Sequence, residues 1–139
     1  MLILDTDHLS ELDRGSQAAR RLEARLSNVL VPVGTTIVSI EEQLRGRLAL
    51  LARTREKMKL IEIYARLNRL VADFSSWLIL PWNEAAADRL ARLRQERLKL
   101  GTMDLRIASI VLANNATLLS RNLRDFERVP QLRVEDWLS

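Results

Sequence analysis

The chain contains no cysteine and a single histidine, His8, among its 139 residues. Without cysteine it can form no disulfide, no thiolate nucleophile and no zinc site built from cysteine and histidine. A lone histidine excludes twin-histidine acid–base chemistry, and no G-x-S-x-G motif supports a Ser-His-Asp triad. Any chemistry must therefore use carboxylates, hydroxyls, arginine or lysine.

Long apolar runs are absent as well. No stretch approaches the roughly 20 apolar residues of a membrane helix. The start, MLILDTD, lacks the basic and apolar regions of a signal peptide. We therefore expect a cytoplasmic protein with no membrane association. The net charge of +4, carried mostly by arginine, favours an anionic partner such as RNA or an acidic protein segment, although a plain arginine-rich surface would give the same balance.

Short apolar runs alternate with helical patterns along the chain. The predicted strands are Leu2–Leu4, Val29–Val33, Leu78–Leu80, Thr117–Leu119 and Leu132–Val134. The predicted helices, apart from one that starts near His8, are Gln17–Leu26, Ile40–Leu51, Glu56–Ser75, Ala85–Leu100 and Met103–Ala113. This alternation predicts a single domain over residues 1–139 with an α/β fold, a three-layer α/β/α sandwich around a central, mainly parallel five-stranded sheet.

Acidic residues recur where the predicted strands end or where helices follow them. They are Asp5 and Asp7 after the first strand, Glu41 and Glu42 at the predicted helix start after GTTIVSI, Asp104 at the start of a buried helix, and Asp125 just past TLL. Ligands of parallel sheets bind outside the carboxyl ends of the strands. Carboxylates that converge there repel one another unless a cation is present, and Mg²⁺ or Mn²⁺ is the natural complement. Such sites usually carry out phosphoryl chemistry.

Each of these acids also has a purely structural explanation. The two aspartates after the first strand fit a turn or a helix N-cap, and the glutamate pair suits any helix N-terminus. Asp104 could follow a Thr102 cap, and Asp125 could be an exposed residue on a helical turn. Taken singly, the structural explanation is favoured. Taken together, on a pattern that brings strand ends together, a shared site is favoured.

Four blocks in this order resemble the PIN domain of VapC-type toxins, the ribonuclease halves of prokaryotic toxin–antitoxin pairs. The blocks are LILDTDHLSEL, VSIEEQLRG, GTMDLRIASIVLANNATLLSRNLRDF and ERVPQLRVEDW, and they run nearly from end to end. They include an aspartate after the first strand, an E-x-x-x-G helix start, a G-x-x-D helix start and a closing strand followed by an Asn/Asp turn.

The resemblance implies that Asp5, Glu42 and Asp104 bind a metal. Because Gly46 lies one turn after Glu42, the E-x-x-x-G spacing selects Glu42 over Glu41, which remains a supporting residue. Periodicity alone leaves the choice between the two glutamates open.

Further helpers and a fourth carboxylate are also implied. Ser120 follows the fourth strand, where a hydroxyl often accompanies such sites, and Asp7 stands where many relatives have asparagine, so its role as ligand, cap or support stays open. The fourth acidic position varies among relatives. We predict Asp125 there, with Asn122 as a neutral helper on the same helical face.

The function implied by the resemblance is a Mg²⁺-dependent or Mn²⁺-dependent endoribonuclease that hydrolyses tRNA or another structured RNA. It further implies a cognate VapB-type antitoxin and a homodimer, with a heterotetramer or larger assembly when the antitoxin is bound. The surfaces of the helices Glu56–Ser75 and Ala85–Leu100 would serve these contacts. Candidate arginines for the RNA backbone are Arg45, Arg47, Arg106, Arg121 and Arg124.

Three rival interpretations compete with this one. The D-x-D start also resembles haloacid dehalogenase-like phosphatases, and a receiver domain shares the early aspartates, but both need a lysine that no strand end provides. A degenerate PIN domain that only binds RNA or protein remains open. We expect His8 to lie outside the active site, and the tryptophans Trp77, Trp82 and Trp137 to serve the core or an interface.

Overall fold

A computed structural model describes all 139 residues and contains one five-stranded sheet with the strand order β3-β2-β1-β4-β5. The strands are β1 (Leu2–Leu4), β2 (Val33–Thr36), β3 (Leu78–Leu80), β4 (Thr117–Leu119) and β5 (Arg133–Glu135). All four strand pairings are parallel. The predicted α/β fold is therefore confirmed, with a sheet that is wholly parallel.

Seven helices cover the two faces of this sheet. They are α1 (Thr6–Arg14), α2 (Gln17–Ser27), α3 (Ile37–Ala52), α4 (Lys57–Phe74), α5 (Glu84–Gln95), α6 (Thr102–Ala113) and α7 (Leu123–Phe126). Neighbouring residues of a strand point to opposite faces. Ile3 and Leu118 accordingly pack under α3, α5 and α6, whereas Leu4 and Leu119 pack under α1 and α2. Two hydrophobic clusters on opposite faces make the predicted three layers.

The second strand lies later in the sequence than its apolar pattern predicted. Val29–Val33 was the expected strand, but Leu30 is fully exposed and β2 begins at Val33. The strand continues through Gly34, where a Cβ would lie 2.4 Å from the carbonyl oxygen of Leu78 in β3. Glycine is therefore required for the close approach of the two strands, and polar residues form a buried strand that hydrophobicity could not reveal.

The helix that carries the two glutamates begins earlier than predicted. Thr36 is its N-cap and accepts a 3.0 Å hydrogen bond from the Ser39 N–H, so α3 starts at Ile37. Glu41 and Glu42 therefore lie in the second turn of α3, and the prediction that they open the helix was wrong.

Other element ends differ from the prediction as well, most of them by one residue. Helix α5 ends at Gln95 instead of Leu100, and Arg97 just beyond it adopts a positive φ of 52°. Leu98 and Leu100 pack against the core from the loop that follows. Strand β5 begins at Arg133, one residue after the predicted start.

The strand order reverses beside β1, since β2 and β3 lie on one side of it and β4 and β5 on the other. In open parallel sheets this reversal creates a crevice at the carboxyl ends of the two strands that flank it, here β1 and β4. No helix of the chain has the length and apolar character needed to cross a bilayer.

Candidate active site at the carboxyl edge of the sheet

Asp5 lies at the reversal point, immediately after β1, and is buried. It is also the N-cap of α1, because its Oδ1 accepts a 2.8 Å hydrogen bond from the Thr6 N–H. Its other oxygen, Oδ2, accepts a 2.8 Å hydrogen bond from the Ser120 hydroxyl, which follows β4. The N-cap bond and the Ser120 hydroxyl therefore fix the Asp5 carboxylate in the crevice.

Asp7 lies beside Asp5 and spans the same two strand ends. Its Oδ2 accepts a 2.9 Å hydrogen bond from the Arg121 N–H and lies 3.3 Å from the Ser120 hydroxyl. Its Oδ1 lies 2.6 Å from Nδ1 of His8. The turn after β4 is thus held against the start of α1 by two carboxylates.

Glu42 reaches the same edge from α3. Its Oε2 accepts a 3.1 Å hydrogen bond from the Thr6 hydroxyl, and Thr6 directly follows Asp5. Its Oε1 is buried and has no hydrogen-bond partner. Glu41, by contrast, pairs with Arg45 at 2.6 Å on the next turn of the helix. The two glutamates that periodicity could not separate therefore have different surroundings.

Asp104 and Asp125 approach from α6 and α7. Asp104 lies half-buried in the first turn of α6, where an acid favours the helix N-terminus. Asp125 accepts a 3.2 Å hydrogen bond from the Asn122 side chain, as expected for residues on the same helical face. After burial, the charge of Asp125 contributes most to raising the pKa of Asp104.

The electrostatics of this edge are those of crowded carboxylates. Burial, and next the charge of Asp7, raise the pKa of Asp5 to about 6, although the hydrogen bonds from Ser120 and Thr6 oppose the shift. Burial raises the pKa of Glu42 and of Asp104, and the charge of Asp104 adds to the effect on Glu42. Burial alone would also raise the pKa of Asp7, but hydrogen bonds from His8 and the Arg121 N–H outweigh it and hold that pKa below its ordinary value.

The donor set fits a hard divalent cation in its chemistry. All candidate ligands are carboxylate or hydroxyl oxygens, the type preferred by Mg²⁺ and Mn²⁺. The unpartnered Glu42 Oε1 and the raised pKa values of three neighbouring carboxyls indicate negative charge that lacks compensation. As placed, no three acidic or histidine side chains are close enough to hold one ion together.

The predicted RNA-binding arginines are placed unevenly around the edge. Arg121 and Arg124 are exposed next to the turn after β4, while Arg106 lines a groove beside α3. Arg47 is different, because its guanidinium pairs with Asp13 at 2.7 Å and only 18% of the side chain is exposed. Arg47 is therefore less available to an RNA backbone than the exposed arginines, and its RNA-binding role stays a prediction.

A mainly apolar groove runs along α3. It is lined by seven apolar residues, three arginines and one glutamate: Ile37, Val38, Ile40, Leu44, Leu48, Trp82, Leu90, Arg45, Arg94, Arg106 and Glu41. Of the three tryptophans, Trp82 lines this groove, and Trp77 and Trp137 pack against the core. The leucines Leu90 and Leu93 of α5 are buried, so α5 offers less apolar surface than expected, whereas Met58, Ile61, Tyr64 and Val71 of α4 are exposed.

Sequence reasoning missed two residues of the edge. Thr6 joins Asp5 to Glu42, and His8, expected outside the site, is fully buried against Asp7. The position of both directly beside the strand-end aspartates was the available signal. However, Glu42, the partner of Thr6, lies far along the chain, and the contact between His8 and Asp7 depends on how the turn between them folds.

Comparison with protein families gives a match over nearly the whole chain. A family described as PIN domain matches residues 2–132. Ribonuclease VapC2 of Rickettsia felis is 39% identical over 72 residues, which cover 51% of this chain and 51% of the relative. The tRNA(fMet)-specific endonuclease VapC of Salmonella typhimurium is 33% identical over 63 residues, covering 42% and 48%. The matches span about half the length of these relatives.

Solved structures with the same fold cover the chain more fully. The VapBC-1 structure from nontypeable Haemophilus influenzae matches with a TM-score of 0.78 and 19% identity, covering 99% of this chain and 98% of that one. The structure of VapBC2 from Rickettsia felis bound to a DNA fragment from their promoter matches with a TM-score of 0.74 and 23% identity, covering 98% of each chain. At these identities the likeness establishes the fold.

Proposed function

The chain belongs to the PIN domain family, and from that premise we propose that it is a metal-dependent endoribonuclease and the toxin of a toxin–antitoxin pair. The names of its sequence relatives, a ribonuclease VapC2 and a tRNA-specific endonuclease VapC, support the activity. The observation that carries the proposal is the meeting of Asp5 and Ser120 at the reversal point of the sheet, with Glu42 joined to them through Thr6. We take structured RNA, with tRNA first, as the substrate, which would place the protein in the cytoplasm.

Asp5, Glu42 and Asp104 would hold the metal ion, with Mg²⁺ as the first candidate and Mn²⁺ as the second. Such an ion supplies polarisation of the scissile phosphate and activation of a water. Ser120 and the Thr6 N–H keep the Asp5 carboxylate in one orientation, and the Thr6 hydroxyl does the same for Glu42. The free Oε1 of Glu42 is the oxygen with the most to gain from a cation.

Asp125 is the proposed fourth carboxylate, and Asn122 donates to it and limits its motion. Its charge acts on Asp104, so the pair could share an ion or a substrate-bound water. Asp7 is proposed as support, because its two oxygens join His8 to the Arg121 N–H and so hold the turn after β4. Glu41 pairs with Arg45 and would act on Glu42 only through its charge.

RNA would approach along the basic rim of the edge. Arg121 and Arg124 shortly precede Asp125 in the chain, and Arg45 and Arg106 line the groove along α3. Contacts from these residues to phosphates would supply affinity without sequence choice, and they would weaken as salt rises.

A VapB-type antitoxin is the proposed protein partner, since the solved relatives are VapBC complexes. The groove along α3 combines apolar residues with three arginines, of which Arg45 pairs with Glu41, and this suits an amphipathic segment with acidic residues. The exposed apolar residues of α4 are available for a homodimer contact.

A PIN domain that binds RNA or protein without cleaving it is the second candidate. The observation in its favour is that the carboxylates, as placed, do not form a closed metal site. It predicts RNA retention without cleavage in any metal.

Cleavage of total tRNA by partner-free protein tests the proposal. Discrete fragments are expected in Mg²⁺ or Mn²⁺, and none with EDTA or with Asp5→Asn. The matched pair Glu42→Gln and Glu41→Gln adds a control within one helix turn: only the first should abolish cleavage. Folded protein that cuts nothing in either metal would contradict the nuclease and favour the binding module.

A further inference from the structure

His8 is the only histidine of the chain and is completely buried between the acidic edge and the C-terminal segment. One ring nitrogen, Nδ1, lies 2.6 Å from Asp7 Oδ1. The other, Nε2, lies 3.2 Å from the backbone nitrogen of Trp137. A buried imidazole with both nitrogens engaged has one orientation, and the mechanism above makes no use of it.

The two contacts determine which nitrogen carries the proton. The Trp137 N–H can only donate, so Nε2 must accept and carries no hydrogen. Nδ1 therefore bears the hydrogen and donates it to Asp7. The other acid near Nε2 is Asp136, whose Oδ1 is 3.9 Å away and too distant to take a hydrogen bond from it.

The C-terminal segment that supplies the Trp137 N–H is itself anchored. The guanidinium of Arg25 in α2 lies 3.8 Å from the ring centroid of Trp137, within cation–π range. The Trp137 indole donates a 2.7 Å hydrogen bond to Glu135 at the end of β5, and Leu138 is buried in the cluster under α1 and α2. The acceptor nitrogen of His8 thus faces a donor that is held by packing and by the sheet.

We propose that His8 is a positioning residue that aligns Asp7, so that the turn after β4 is held against Asp5. Its Nδ1–H fixes Asp7 Oδ1, which leaves Oδ2 to accept from the Arg121 N–H at 2.9 Å and to lie beside the Ser120 hydroxyl. Ser120 in turn donates to Asp5. The consequence for metal binding rests on the proposed function, whereas the alignment of Asp7 does not.

The tautomer can be measured first, in metal-free protein. Because there is one histidine, a long-range ¹H–¹⁵N spectrum of the imidazole contains a single ring system and is unambiguous. We expect the neutral Nδ1–H tautomer at pH 7.5. An Nε2–H tautomer, or a doubly protonated ring at that pH, would overturn the proposal.

Two substitutions separate the two contacts. In His8→Asn the amide nitrogen replaces Nδ1 and keeps the donor to Asp7, whereas in His8→Gln the amide oxygen replaces Nε2 and keeps only the acceptor for Trp137. The readout is hydrogen exchange of the Arg121 amide relative to the amides of β1. His8→Gln should lose protection at Arg121 and His8→Asn should retain it. Equal behaviour of the two variants would overturn the positioning role.

Mn²⁺ titration calorimetry of the same folded variants extends the test to the site. His8→Gln should bind Mn²⁺ about 10–100-fold more weakly than wild type, the usual effect of removing a group that orients a ligand shell. His8→Asn should stay within about threefold of wild type if the donor to Asp7 is what counts. If wild type binds no Mn²⁺, the proposed function fails, and the Arg121 exchange still decides the role of His8. Wild-type Mn²⁺ affinity in both variants would overturn the link from His8 to the site.

Discussion

The two halves of the acidic edge differ in how their carboxylates are satisfied. In the half between β1 and β4, all four oxygens of Asp5 and Asp7 have a hydrogen-bonding partner in the protein. In the half between α3 and α6, Glu42 keeps one buried oxygen without a partner. Asp104 there experiences burial and repulsion from Asp125 and Asp7, with no compensating hydrogen bond. The first half is held by hydrogen bonds within the protein, whereas the second keeps carboxylate oxygens that the protein does not satisfy.

The pKa directions follow the same division. Asp7, in the first half, has its pKa held below the ordinary value, whereas the pKa values of Glu42 and Asp104 are raised. Asp5 combines features of both halves. Its two oxygens are hydrogen-bonded, as in the first half, but burial and the charge of Asp7 raise its pKa, as pKa values are raised in the second half. The hydrogen bonds of the fold therefore order one part of the acidic edge and leave the charge of the other part less compensated.

The largest expected effect is a loss of RNA cleavage when a carboxylate in the half between α3 and α6 is neutralised. Glu42→Gln and Asp104→Asn should each lower kcat/KM for RNA cleavage by about a thousandfold or more, because a lost ligand removes several kcal/mol of charge stabilisation. Glu41→Gln, whose partner is Arg45, should stay within about tenfold of wild type. Cleavage assays at saturating Mg²⁺ would measure this, and equal losses at both glutamates would remove the distinction between them.

The pH dependence of metal-free stability is the next largest effect. The folded pKa of Asp5, about 6, exceeds its ordinary value of 3.8, so the stability this group contributes is present below 3.8 and is lost as pH rises through 6. The loss amounts to about 3 kcal/mol. About 2 kcal/mol of this loss falls between pH 4.5 and 7.5, where urea unfolding should show it, and the loss should be smaller in Asp5→Asn. Saturating Mg²⁺ should restore stability above pH 6. Identical pH profiles in wild type and Asp5→Asn would contradict the burial argument.

Removing the charge of Asp7, in the half between β1 and β4, should lower the stability of the metal-free protein. Asp7→Asn places an amide NH₂ opposite either the His8 ring or the Arg121 N–H, where only an acceptor fits. We expect a loss of about 1–3 kcal/mol in the free energy of unfolding of the metal-free protein at pH 7.5. Asp88→Asn, at an exposed position of α5, is the control and should change stability by less than about 0.5 kcal/mol. A stabilised Asp7→Asn would abolish the contrast between the halves.

The smallest expected effect concerns Gly46, one turn after Glu42. A Cβ added there would meet no atom within 4 Å, and the residue lies inside α3. Gly46→Ala should therefore stabilise the protein by about 0.5–1 kcal/mol in thermal or urea unfolding. RNA cleavage by the same variant then tests whether the open space beside Gly46 is needed to bind RNA. Unchanged cleavage would mean that it does not.

The strands whose bounds were predicted correctly are those made of apolar residues. Strands β1, β3 and β4 are short apolar runs, and their predicted bounds are the observed ones. Strand β2 failed because its burial is polar: the Thr35 hydroxyl donates a 2.8 Å hydrogen bond to the Leu4 carbonyl, and Gly34 fills a gap too narrow for a side chain. Such contacts between distant strands leave no periodic signal.

The residues of the candidate site also divide into those that the sequence could predict and those that it could not. Asp5 and Ser120 follow strands whose ends could be predicted, and the parallel sheet brings them within 2.8 Å. The environments that separate Glu42 from Glu41 depend on Thr6 and Arg45, and periodicity does not encode them. The role of His8 was not predictable because its second partner, Trp137, lies at the other end of the chain.

The most direct test of the central claim is anomalous diffraction from crystals of the partner-free protein soaked in Mn²⁺. The account predicts an ion bound by carboxylate oxygens of Asp5, Glu42 and Asp104, with Glu42 Oε1 among its ligands and Asp7 still bonded to His8 and the Arg121 N–H. An ion held instead by Asp7 and Asp125, or no ion at the carboxyl edge of the sheet, would contradict it.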